Sequence, residues 1–206
     1  MKTLGIIAAA ALASSAHAAN VELTGLTQAG ALGLGAWDGK LSYTPRNDSS
    51  GTLRIELHNA LSRSTNATAA GGRITGFAFN HDPAFANLSI ALLGASLPFV
   101  DVVGQTFDSF GTFASGAAMS GTWPARQNAG GIAPGGVGLF VFSVAGPGAG
   151  TLTSNSFLTG PNAFNFVVGF EGFAQDGQDL VPGAPAPSTG LAILALAGLS
   201  AARRRR

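Results

Sequence analysis

The chain has 206 residues, of which 46% are hydrophobic and only 10% charged, with 30 glycines and no cysteine. So apolar a chain is not disordered, and without cysteine it has neither a disulfide framework nor a Cys-based zinc or nucleophile site. The formal net charge of +1 is set by the ends: with Lys2 and residues 203–206 set aside, six basic residues face ten acids, a net of −4 that excludes a nucleic-acid binder.

Met1-Lys2 gives a positive start, residues 4–12 a short apolar run, and Ala16-His17-Ala18 the small residues that signal peptidase reads. These features predict a helical signal peptide over residues 1–18. Ala16 and Ala18 set the cleavage site and Ala19 opens the mature chain, which is exported through the inner membrane.

From residue 19 to 181 the dominant signal is period-2 alternation. Leu53, Ile55 and Leu57 alternate with Arg54, Glu56 and His58, the pattern of a half-buried strand. Ile74, Phe77 and Phe79 mark a second strand and Leu88, Ile90 and Leu92 a third. Residues 99–103 form a short apolar core strand, and residues 138–144 (GLFVFSV) and 164–173 (FNFVVGFEGF) are the strongest late ones. Turn clusters punctuate them: residues 47–51 (NDSSG), 128–131 (NAGG) and Pro134-Gly135-Gly136. No stretch here has a 3.6-residue period. The expectation is one all-β domain over residues 19–181, an antiparallel β-sandwich of two sheets, jelly-roll or Ig-like, with a barrel as the alternative. Leu53, Ile55, Leu57, Phe140, Phe142, Phe166 and Val168 should face its shared core.

Few residues in the body invite chemistry, and each has a plainer reading. His58 sits on the polar face of its strand, where a surface residue is the default. In Asn80-His81-Asp82-Pro83 a His beside an Asp suggests a metal ligand or a base, but adjacent side chains on an extended chain point apart and the tetrapeptide is an ordinary turn. Asp176 and Asp179 offer two carboxylates to calcium. They lack the alternating acids of an EF-hand loop, so a solvated turn is expected. Trp37, Trp123 and Tyr43 would suit sugar rings if exposed, although a domain of this size normally buries its tryptophans. No Gly-x-Ser-x-Gly elbow is present. The Asn-x-Ser/Thr triplets at Asn47, Asn66 and Asn87 read as chance matches in Ser/Thr-rich turns. The expectation is therefore no catalytic residue, no metal and no cofactor.

The far end, residues 182–206, is a separate segment. Pro182, Pro185 and Pro187 make a stiff, extended stretch, followed by a twelve-residue apolar run at 191–202 and then Arg203, Arg204, Arg205 and Arg206. Twelve helical residues reach about 18 Å, short of the roughly 30 Å hydrocarbon core. The run predicts a weak, transient membrane helix with the arginines kept on the cytoplasmic side. The order of proline motif, apolar helix and arginine cluster resembles the PEP-CTERM sorting tail of bacterial exopolysaccharide-associated proteins. Here the tail reads Ala184-Pro185-Ala186-Pro187, then STGLAILALAGLSAARRRR, with alanine where the signature has glutamate. The resemblance implies that Pro185, Ala186, Pro187 and the four arginines form a sorting signal read by an exosortase-type transpeptidase. The body is also similar to the β-sandwich domains common in such proteins. GTLRIELHN comes early, RITGFAFN follows, and Gly131-Ile132-Ala133-Pro134-Gly135 precedes the strand at residues 139–142.

Together these readings predict a non-enzymatic protein of the cell surface or of the extracellular biofilm matrix. Its partners would be signal peptidase, the exosortase-type enzyme and, transiently, the inner membrane. A carbohydrate-binding module of the exopolysaccharide layer is the alternative, with a secreted hydrolase behind it.

Overall fold

Residues 20–61, 71–119, 130–174 and 177–186 are described by the computed structural model. Among these residues there are ten strands, in chain order β1 (Val21–Gly25), β2 (Trp37–Asn47), β3 (Ser50–Asn59), β4 (Arg73–Phe79), β5 (Ser89–Ala95), β6 (Phe99–Phe107), β7 (Gly111–Met119), β8 (Val137–Ala145), β9 (Phe166–Glu171) and β10 (Gln178–Pro185). They form one sheet in the order β5-β8-β3-β2-β1-β10-β9-β4-β7-β6, and every neighbouring pair is antiparallel.

Local chemistry sets the register. On β3 the alternation read from the sequence is obeyed: Leu53, Ile55 and Leu57 are buried while Arg54 and Glu56 are exposed. β2 and β3 join through a tight turn at Asp48-Ser49, where Asn47 Oδ1 accepts from the Ser49 N–H (3.0 Å) and from the Ser49 and Ser50 hydroxyls. β4 departs from strict alternation, since Ile74, Phe77 and Phe79 are all buried although 74 and 77 differ by an odd number. A register shift between Ile74 and Gly76, opposite β9, absorbs the extra residue and turns all three side chains inward.

The sheet curls until its two walls face each other. Phe77 and Phe79 on β4 and Phe166 on β9 meet Phe140 and Phe142 on β8 across the interior. Phe77 packs edge-on to Phe140 at 4.6 Å between ring centres, and Phe79 to Phe142 at 5.4 Å. The seven residues expected to share a core are all at most 1% exposed and belong to this one cluster.

Two expectations need correction. A sandwich has two separate sheets, whereas here one sheet is nearly closed into a barrel. The halves are joined by β1 and β10, which pair as Leu23 with Pro185, Thr24 with Ala184 and Gly25 with Gly183. Trp37 locks this joint. Its ring crosses both glycines, and a Cβ on Gly25 or Gly183 would come within 2.6 or 2.5 Å of it, while its Nε1–H donates to Val181 O at 3.2 Å. The second correction concerns residues 99–103. They open a nine-residue strand, β6, that stands at the sheet's edge rather than at its centre.

Among the described residues the helical elements are four short 3-10 turns, at Thr27–Ala29, Pro83–Phe85, Ala149–Thr151 and Ser154–Leu158. No helix among them is long and apolar enough to cross a membrane. The expected signal helix (1–18) and the apolar run at 191–202 lie outside the described residues.

Candidate functional site

The outer face of β2, β3 and β8 carries the polar residues that alternate with the core. Direct cross-strand pairing lines them up in rows: Glu22, Lys40, Glu56 and Leu139 in one, Ser42, Arg54 and Val141 in the next, and Thr24, Asp38, His58 and Val137 in a third. Residues directly opposite on one face have Cβ atoms about 4.5–5.5 Å apart, so each row is a line of neighbouring side chains. Lys40 Nζ lies 3.4 Å from Glu22 Oε1, and His58 Nδ1 lies 3.0 Å from Asp38 Oδ2.

The first two rows enclose an open cavity of about 440 Å³ lined by Lys40, Ser42, Arg54, Glu56, Leu139 and Val141. That volume lies within the range of small-molecule sites. Its charge is unevenly satisfied. Lys40 is held by Glu22, but Arg54 has no hydrogen bond or ion pair among the described residues. Leu139 is 51% exposed and supplies an apolar wall. Chemically the groove offers a free two-pronged cation, an acceptor carboxylate, a hydroxyl and an apolar side.

The residues singled out from the sequence have other roles. His58 is on the surface, as expected, and its partner Asp38 sits on the neighbouring strand. His81 and Asp82 do not act together. Asp82 caps the turn at Pro83–Phe85 by accepting from the Ala84 N–H at 2.9 Å. Among the described residues His81 Nδ1 is buried without a hydrogen-bond partner, and loss of solvent pushes the imidazole pKa below its ordinary value, against the raising influence of the Phe85 backbone and the Asp82 charge. Asp179 is not a solvated turn residue: it is fully buried and accepts from the N–H groups of Leu32 (2.8 Å), Leu34 (2.7 Å) and Gly35 (2.7 Å). Its would-be calcium partner Asp176 lies outside the described residues.

Trp37 and Tyr43 are 3% and 2% exposed, so neither offers a stacking platform. Tyr43 instead donates its hydroxyl to Ala149 O at 2.8 Å, and burial raises its pKa. Trp123 lies outside the described residues.

Of the residues expected to form a sorting signal, Pro185 ends β10 and Ala186 donates its N–H to Glu22 O at 2.8 Å. Pro187, Arg203, Arg204, Arg205 and Arg206 lie outside the described residues, as do Ala16, Ala18 and Ala19. The groove was not legible beforehand. The sequence marks Arg54 and Glu56 as outward, but placing Lys40, Ser42, Leu139 and Val141 beside them requires the strand register. No family model matches this chain, and neither a curated protein nor a solved structure does.

Proposed function

We propose that this chain is an exported protein of the cell surface or extracellular matrix, structural or adhesive rather than catalytic, and sorted by its C-terminal tail. The observation that carries the reading is the tail itself: Pro185-Ala186-Pro187, an apolar run too short for a comfortable span, and four terminal arginines. Two features of the fold agree with it. Pro185, the last residue of β10, and Ala186, whose N–H bonds to Glu22 O, are held extended at the sheet's end. The acid–base candidates His81, Asp82 and Asp179 sit in buried or turn-building positions rather than in a common cleft.

The test is mass spectrometry and a blot of membrane and extracellular fractions from native cells. The protein should begin at Ala19 and lose its tail, about 2 kDa for some twenty residues at the chain's mean residue mass. Changing Pro185 and Pro187 to alanine should leave membrane insertion intact but block cleavage, so that the heavier form accumulates in the membrane. Wild-type protein that keeps Lys2, or keeps its arginines and stays in the membrane, would overturn the reading.

A further inference from the structure

We propose that the groove over β2, β3 and β8 binds a uronic-acid unit of an acidic polysaccharide, with Arg54 taking the carboxylate and Glu56 and Ser42 the ring hydroxyls. The choice of a saccharide over other carboxylates rests on the extracellular destination proposed above; the site itself rests on geometry. Two observations converge on it, and the chemistry of the guanidinium names the ligand. The cavity holds about 440 Å³ and opens to solvent, room for a small polar ligand while leaving its chain free to continue outward. Arg54 is exposed and without a partner among the described residues, whereas the other cation of the groove, Lys40, is already paired with Glu22. A planar guanidinium with no internal counter-ion is matched to a carboxylate, which it can grip through two parallel N–H bonds.

The remaining lining suits the rest of a sugar ring. Glu56 accepts from hydroxyls, Ser42 donates and accepts, and Leu139 and Val141 cover the ring's apolar edge. With Trp37 and Tyr43 buried in the core, recognition here runs through charge and hydrogen bonds rather than aromatic stacking. Binding should therefore be weak per unit and salt-sensitive.

The experiment is isothermal titration of the purified full chain with trigalacturonate, with maltotriose as the neutral counterpart and inorganic phosphate as a bare anion. Trigalacturonate should bind saturably and at least tenfold more tightly than either control. Arg54→Ala should weaken it at least tenfold. Arg54→Lys should fall between, because it keeps the charge and loses the fork. Arg46→Ala, on the same hairpin but outside the groove, should bind as wild type does. An unchanged melting curve for Arg54→Ala establishes that its loss is local. No saturable binding, equal binding of maltotriose or phosphate, or an Arg54→Ala chain that binds as tightly as wild type would overturn the proposal. The readout is independent of tail processing, so a failed titration beside correct export leaves the sorting reading standing.

Discussion

The Asp179 carboxylate sits in the wall of the barrel with no exposed surface, surrounded by three backbone N–H groups from residues 32–35. The sequence marked it only as one of two carboxylates, with Asp176, of an expected solvated turn. What identifies its role is the glycine-rich segment 30–35 (GALGLG), which lies almost 150 residues away in sequence and folds around it. Each donor left buried and unpaired costs about 1–3 kcal/mol, and hydrogen bonds to a charged acceptor are the stronger kind. Asp179→Ala should therefore lower stability by at least about 3 kcal/mol. Asp179→Asn keeps one carbonyl acceptor and should lose less. Urea unfolding checks this: both midpoints should fall in that order with the slope unchanged. An alanine variant as stable as wild type would show that the loop finds other acceptors.

Among the elements, β10 runs past residue 181. Sequence composition placed the boundary at residue 181, because Pro182 and Pro185 read as a stiff linker. Pro182 and Pro185 are instead inside the strand, Pro182 opposite Val167 and Pro185 opposite Leu23. A chain ending at Ala186 should fold as the full chain does. One ending at Val181 removes β10's pairing with β1 and uncovers Trp37, and should unfold or aggregate; thermal unfolding followed by tryptophan fluorescence separates the two. The strands with large alternating side chains, β3, β8 and β9, were legible for the reason that hid others. β7 (GTFASGAAM) carries small residues, and at Gly116 the reason is the close β4 backbone: a Cβ there would run into the Phe77 carbonyl. In β2, Gly39 stands at an inward position among Trp37, Leu41 and Tyr43, which breaks the apolar alternation at the point where the Glu56 backbone approaches. Close packing therefore erased the periodic signal on these two strands.

At the scale of the whole fold, the described strands form a nearly closed barrel with one open seam, between the edges of β5 and β6. Unpaired strand edges invite pairing with another chain, and apolar side chains are exposed there, Leu93 at 67% and Val103 at 63%. The fold interrupts both edges, with a register shift between Leu92 and Gly94 on β5 and a left-handed Gly104 (φ 63°) on β6. Asp101 adds a charge. Its Oδ1 accepts from the Leu92 N–H at 3.3 Å across the seam, and burial raises its pKa above the ordinary 3.8, against the lowering effect of that hydrogen bond. A raised folded-state pKa means that the folded chain holds this proton more tightly than the unfolded chain does. The resulting stabilisation is complete below about 3.8 and is lost as pH rises through the raised value. His81 works in the opposite sense. Its lowered pKa makes stability fall as pH drops from 6.5 towards the folded value. Asp101→Asn keeps the acceptor for Leu92 and removes the charge. It should match wild type in acid, melt at an equal or higher temperature at neutral pH, and leave the His81 slope untouched. With the edge no longer charged, it should also self-associate more readily at neutral pH. Melting curves from pH 3 to 8 with light scattering at each step check both halves. If Asp101→Asn melts lower than wild type at pH 7, the carboxylate closes the seam rather than guarding it.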